Sequence, residues 1–298
     1  ALSQVAAQAQ TPPLVWEELL QEGRPADAYS LAKQQLQGGN TDFYLGVLAQ
    51  QAEKYDEAIT HFTAALNDAP ELNDYVSLFR GQIYLAKGEL HKALEDFKKT
   101  ESISRLSFLS DVAIFHQADA YAALKQWKKA EPLYQKGLKK LQRTKYHPAV
   151  LWGYLNVKMK TGKANKVCRQ AKELYIKYPA YPQISDWGIF LGENTVNGKK
   201  TNCLSTFAEQ KLRVQRMLWA GLEEKALAEI QALIKKAGPS QKYIVDELKV
   251  SYLLSEGHLD EAQKVLEEYA QGKGSDYEYL MLVGKVHSRS STPQKGIE

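Results

Sequence analysis

The chain has 298 residues, 39 basic against 35 acidic for a net charge of +4, with 44% apolar residues, 25% charged residues and two cysteines. This composition excludes a disordered, collagen-like or disulfide-stapled miniprotein, and no run approaches the roughly 20 apolar residues of a membrane-spanning helix. The charge excess is too small to point to nucleic acid, and the length reaches the roughly 250 to 300 residues at which a single core stops growing.

Residues 1–12 read as a small, polar, flexible tail with no apolar stretch of the kind a complete export signal carries. Ala7-Gln8-Ala9 has the small-x-small form of a cleavage site, so the segment is either the remnant of an exported protein or an ordinary alanine-rich tail. The first reading places the protein in the periplasm or otherwise outside the cytoplasm, and the second leaves it cytoplasmic.

From residue 13 a pattern recurs. Gly46, Tyr55, Ala58, Phe62, Ala65 and Pro70 have counterparts at matching offsets in Gly81, Tyr84, Gly88, Ala93 and Phe97, and again in Ala118, Tyr121, Trp127, Ala130 and Tyr134. Weaker copies hold Gly162, Val167 and Pro179, then Gly221, Ala226 and Ile230, then Gly257, Leu259, Ala262 and Leu266, and Gly23 with Ala28 forms an upstream partial unit. The small-residue marker therefore falls at 28, 58, 93, 130, 167, 226, 262 and 296, in steps of 30, 35, 37, 37, 59, 36 and 34. A small side chain lets two helices cross closely, and the aromatic residue four positions on shares its face. Gly88, Gly162, Gly221 and Gly257 stand where the first helix of each unit would end in a tight turn. Each unit is a helical hairpin that cannot bury its apolar face alone, so stability comes from stacking.

These residues and their roughly 34-residue period resemble the tetratricopeptide (TPR) family over residues 14–298, although Asp42 stands where the best repeat would carry its early tryptophan. The resemblance implies an all-α solenoid, a right-handed superhelix of about seven to eight degenerate repeats. It divides as an array over 13–179, an insertion or connector over 180–206, and a second array over 207–298 whose last repeat is incomplete. It also implies a noncatalytic scaffold that binds a protein or peptide partner along a groove lined by the first helices. The groove positions here are Phe43, Gln50, Tyr75, Leu78, Gln82, Phe115, Asp119, Trp152 and Asn156, a mixture of aromatic and amide groups suited to an extended peptide or a partner helix. Family members that grip a chaperone's terminal carboxylate place basic and asparagine side chains there. Phe43 and Val47 occupy the first pair in this sequence, which disfavours that role.

Two places break the array. Residues 180–206 lack helical periodicity and hold Trp187 and Phe190, which are either an aromatic anchor for a partner or a cap on the neighbouring hydrophobic seam. At the other end Glu298 falls two residues after the marker Gly296, so the expected chain either continues beyond 298 or frays after Ser288. Cys168 and Cys203 are either a disulfide clamping the insertion to its neighbouring repeat, in an oxidising compartment, or two free thiols.

Chemistry-bearing motifs are missing: no HExxH, no paired Cys-x-x-Cys, no phosphate loop and no GxSxG occurs. No cofactor, metal or enzyme active site is expected. His61, His91 and His258 read as solvated surface imidazoles, and the acidic pairs Asp56-Glu57 and Asp260-Glu261 fit the first turns of second helices. Lys125, Lys128, Lys129, Lys136, Lys139, Lys140, Arg143 and Lys145 are offset only by Glu131, and form either an attractor for an anionic glycan, lipid surface or acidic protein, or a merely solvated helix face.

A second resemblance rests on the exported-looking start, the weak hairpins, and the segments 211–233 and 279–298. It is to the helical N-terminal portion of bacterial soluble lytic transglycosylases, and it implies a periplasmic scaffold that helps a catalytic domain absent from this chain to hold peptidoglycan strands. Glu101-Ser102 matches that family's catalytic dipeptide, but the downstream signature is missing, so Glu101 is read as an inter-repeat residue.

Overall fold

Apolar side chains at helical spacing, interrupted every dozen or so residues by a turn, give a chain of short antiparallel helices. The computed structural model describes residues 15–163, 167–183, 193–196, 199–203, 205–270 and 277–289. It resolves into two compact units, Ala1–Thr161 and Gly162–Glu298. The division falls at the turn of the fifth expected repeat rather than at residue 179.

In the first unit the helices are α1 (Val15–Gln21), α2 (Pro25–Gln35), α3 (Thr41–Gln51), α4 (Tyr55–Asp68), α5 (Asn73–Ala86), α6 (Leu90–Ile103), α7 (Ser107–Ala123), α8 (Trp127–Lys140) and α9 (His147–Lys160). Each packs on its neighbours in sequence, so α1/α2, α3/α4, α5/α6 and α7/α8 are successive hairpins. The upstream partial unit is thus a complete hairpin, with Trp16 from α1 and Tyr29 from α2 in the same core as Leu45, Phe62, Val76 and Ile83. The second unit holds α10 (Cys168–Lys177), a two-stranded ribbon of β1 (Glu193–Val196) and β2 (Lys199–Asn202), then α11 (Phe207–Trp219), α12 (Glu223–Lys236), α13 (Lys242–Ser255), α14 (Leu259–Ala270) and α15 (Tyr277–Arg289). Val214, Met217, Ile230 and Leu248 centre one core here, and Leu253, Val265, Leu266 and Val286 another. The fold class is all-α, with that ribbon as an addition.

The marker residues are buried as their spacing requires. Ala28, Ala58, Ala93, Ala130, Val167, Ala226 and Ala262 are all fully buried. Opposite them the first helix of a hairpin offers a position with no room for a side chain. A Cβ on Gly46 would lie 2.7 Å from the Phe62 ring, and one on Gly81 would lie 2.7 Å from Phe97. The aromatic ring of the second helix therefore rests directly on the backbone of the first. Val167 departs from the pattern in one respect, since it precedes the first turn of α10 instead of lying within the helix.

Five residues before each marker the chain turns back, and it does so each time in the left-handed region. Gly23, Gly88, Gly162, Gly221 and Gly257 have φ between +67° and +80°. The equivalent residues of the other two hairpins are not glycine: Glu53 and Lys125 both take φ +58°. The acidic pairs behave as expected, with Asp56 and Glu57 in the first turn of α4 and Asp260 and Glu261 in that of α14.

A second recurrence joins the helices of a hairpin electrostatically. Arg80 of α5 stands thirteen residues before Ala93, and its Nε and Nη2 each donate to Asp96 of α6 at 2.8 Å, while Nη1 donates to Thr63 of α4 at 3.1 Å. Arg213 of α11 stands thirteen residues before Ala226 and donates through Nε to Glu229 of α12 at 2.8 Å. Its Nη1 donates to the carbonyl of Tyr175, and the guanidinium stacks 3.6 Å from the centre of that ring. The side chains of Arg80 and Asp96 are 15% and 4% exposed, so this is a mostly desolvated bidentate pair. The bond to Asp96 raises the Arg80 guanidinium above its ordinary value against the cost of burial.

Cys168 and Cys203 are joined in a disulfide, with Cα atoms 5.4 Å apart and Cys203 buried. The bridge ties the first turn of α10 to the end of β2. Immediately after it a capping box, Thr206 Oγ1 accepting from the Glu209 amide and Glu209 accepting from that of Thr206, starts α11. β1 and β2 pair in register from Glu193 with Asn202 to Val196 with Lys199. Trp187, Phe190, Gly296 and the tail of residues 1–12 lie outside the described residues.

Four substitutions test this account by equilibrium unfolding in urea. Gly88→Ala is expected to destabilise by about 1 kcal/mol and Lys125→Gly to stabilise by up to about 1 kcal/mol, because the left-handed conformation costs about 1 to 2 kcal/mol for a side-chain-bearing residue and glycine returns part of that gain as unfolded-state entropy. Asp96→Ala should cost about 3 kcal/mol and more than Arg80→Met, since it strands a buried guanidinium instead of removing it.

Candidate functional site

The first helices of successive hairpins in the first unit, α3, α5, α7 and α9, carry the groove positions read from the sequence. Gln50, Tyr75, Gln82, Asp119, Trp152 and Asn156 are half-buried. Leu78 and Phe115 are not groove residues: they are 2% and 4% exposed and belong to the packing. An inner helix of the array is packed on both sides, by its own partner and by the next hairpin. Its apolar face is correspondingly wide. α5 buries Val76, Ser77 and Leu78 in succession, and α7 buries Val112 to Phe115, so positions one turn from the seam fall inside. Phe43 is intermediate, with its ring 6.1 Å from Phe79 in a stacked arrangement and 6.3 Å from Phe62. Tyr75 extends this row, 6.3 Å from Phe79.

Beside the aromatic row runs a polar one that joins two first helices. Gln82 of α5 lies with its amide nitrogen 3.0 Å from His116 Nε2 of α7. The other ring nitrogen, Nδ1, is 3.2 Å from Asp119 Oδ2, and Asp119 Oδ1 accepts from the Tyr134 hydroxyl of α8 at 2.7 Å. An amide nitrogen only donates, so Nε2 accepts and the proton sits on Nδ1, facing the carboxylate. The imidazole is held in plane by Phe97, stacked at 5.3 Å, and Phe115 at 4.7 Å. Asp119 is therefore an oriented acceptor already engaged on both oxygens. His116 and Tyr134 were missed as members of this row, although the i,i+3 pair His116 and Asp119 on one helix face was a visible signal.

A second network closes the hairpin next to it. The Tyr29 hydroxyl donates to Glu57 at 2.7 Å and lies 3.1 Å from His61 Nε2, and His61 Nδ1 lies 2.6 Å from Asp42. Burial and the bond to Glu57 hold the phenol well above its ordinary range, and that same bond draws the Glu57 carboxyl below its own. His61 is therefore not the solvated surface imidazole expected, because Asp42, at the early helix position where a tryptophan would stand, draws it inward. His91 and His258 are exposed, with His258 Nδ1 3.0 Å from Glu261. Glu101 accepts from Gln117 at 2.7 Å and lies 3.6 Å from Lys136, linking α6, α7 and α8 as an inter-repeat residue should. Among the described residues no group of three or more histidine, cysteine or acidic side chains is placed to hold a metal, and no helix is long and apolar enough to cross a membrane.

The comparisons with known proteins fall on these helices. No curated protein gives a significant match to the chain. Among solved structures, the chain is similar to a tetratricopeptide repeat protein from Parabacteroides merdae, at 15% identity and a TM-score of 0.44, over 91% of this chain and 95% of that one. The family model for the tetratricopeptide repeat matches residues 45–104, the stretch from Leu45 in α3 to the end of α6. With Gly46 under Phe62 and Gly81 under Phe97, α3 to α6 are similar to tetratricopeptide repeats, and such repeats suggest a protein-interaction scaffold.

Proposed function

We propose that the protein is a noncatalytic scaffold whose first unit holds a segment of a partner polypeptide along the open edges of α3, α5, α7 and α9. The observation that carries this reading is the row from Gln82 through His116 to Asp119, which lies on adjacent first helices beside the Phe43, Phe79 and Tyr75 rings. An extended peptide needs apolar contacts at intervals and fixed polar groups between them, and this edge offers both. The side chains are held in place by their own bonds, so little freedom is lost when a peptide binds. Nothing among the described helices favours peptidoglycan over a polypeptide as the ligand.

The Cys168–Cys203 bridge supports a second element of the proposal, that the protein works outside the reducing cytoplasm. Thiols within bonding distance stay reduced in the cytoplasm, so the location decides whether the bridge forms.

Selection of displayed peptides against the full chain should yield binders whose affinity falls at least about tenfold, or about 1.4 kcal/mol, in Tyr75→Ala and Asn156→Ala, with an unchanged melting temperature. Binders indifferent to both substitutions, or no binders at all, would sink the groove reading. For location, non-reducing peptide mapping of the protein from its native source should return Cys168 and Cys203 in one linked peptide pair. Two alkylated cysteines would overturn it.

A further inference from the structure

All eight cations between Lys125 and Lys145 are exposed, and of the acidic groups near them Glu131 and Glu101 are already paired, while Glu95 of α6 is exposed. Glu131 is bonded to the buried Lys158 ammonium, and Glu101 is taken up by Gln117 and Lys136. α8 buries Ala130, Tyr134 and Gly137. On the opposite side Lys128 and Lys139 share one row, and Lys129, Lys136 and Lys140 the next, by the helical period. Lys128, Lys139, Lys140 and Arg143 have no acidic partner among the described residues. The imbalance extends across the unit: residues 15–74 hold eleven acidic and three basic side chains, whereas residues 75–161 hold seven and sixteen. A face of one sign repels itself and is relieved by an external polyanion.

A second feature adjoins these rows. A cleft of about 380 Å³ opens between α6 and the turn from α7 into α8, walled by His91, Glu95, Lys98, Tyr121, Gln126 and Lys129. Lys129 lies over the Tyr121 ring, so it belongs to both the cleft and the lysine rows. The cleft sets one carboxylate, Glu95, against Lys98 and Lys129, and its Leu94, Leu124, Tyr121 and Gln126 suit a neutral or aromatic side chain with a hydrogen-bonding group.

We propose that this face of α8, with its cleft, is a second interaction surface that docks an acidic polypeptide segment, carboxylates along the lysine rows and one neutral side chain in the cleft. The surface is distinct from the groove of the first helices. Three observations select a polypeptide among polyanions. A planar bilayer cannot enter a cleft, and none of the large exposed apolar side chains lies on α8 to anchor it in lipid. Single-stranded nucleic acid is held by stacking on exposed aromatics, and none of the large exposed aromatic side chains lies on α8. Seven of the eight cations are lysines, point charges that suit the scattered carboxylates of a chain better than the forked recognition of phosphate that arginine gives.

The test uses the full chain and a fluorescent peptide of alternating glutamate and serine around a central tyrosine. About eight residues suffice, since an extended chain of about 3.3 Å per residue then spans the roughly 21 Å of α8. Saturable binding at about 150 mM salt is expected, lost when the glutamates are replaced by glutamine. The triple variant Lys128→Glu, Lys139→Glu, Lys140→Glu should weaken it at least about tenfold with an unchanged melting temperature, because these side chains are exposed and make no internal ion pair. Tyr75→Ala and Asn156→Ala should leave it intact, which separates this surface from the groove. Absence of saturable binding, wild-type affinity in the triple variant, or co-sedimentation with phosphatidylglycerol vesicles in place of peptide binding overturns the proposal.

Discussion

The contact on which the hairpins of the repeat stretch depend is an aromatic ring lying on bare backbone. Phe62 over Gly46 and Phe97 over Gly81 bring the two helices close enough that no Cβ fits between them. Everything else in a hairpin is arranged around that approach. The small marker residue of the second helix sits four positions before the ring, and the left-handed turn five residues before the marker sets where the second helix begins. The arginine thirteen residues before the marker reaches the carboxylate three after it in α5/α6 and in α11/α12, a bond that a wider hairpin would pull apart. Stability is thus local to each hairpin and its immediate neighbours, and few side chains touch residues distant in sequence.

This locality explains how much could be read beforehand. The hairpins, their turn glycines and their buried small residues each follow from a fixed offset within about fifteen residues, and the structure has them in place from Ala28 to Ala262. Groove residues were legible only in part. Leu78 and Phe115 satisfy the spacing of an open edge, yet the next hairpin covers them, and that depends on how wide a face an inner helix buries. Arg80 and Arg213 carry no sequence signal of their own, since nothing in one copy of the repeat reveals that a partner waits sixteen residues on. His61 was misjudged because the residue that recruits it, Asp42, replaces the expected aromatic of another helix. The β-ribbon left one signal, the Asn197-Gly198 pair between its strands, of a type favoured in two-residue hairpins.

The two surfaces of the first unit differ in kind. Along the first helices, groups are few, oriented and already bonded to one another, so the peptide proposed there would be selected by fit. Along α8 the exposed side chains are long and basic, so the acidic ligand proposed there would be drawn by charge and held by number. A scaffold with one surface of each type can capture an acidic stretch quickly at ordinary salt and read a neighbouring segment slowly, with the two steps governed by different substitutions.

The bridge between Cys168 and Cys203 has a consequence for the integrity of the chain itself. Every peptide bond from 168 to 203 lies inside a covalent ring that contains α10 and both strands. A protease cutting anywhere in that ring produces a nicked molecule of unchanged mass plus one water, whose pieces part only after reduction. Such a ring lets the segment between α10 and α11 be cut once while both helices stay in the same molecule.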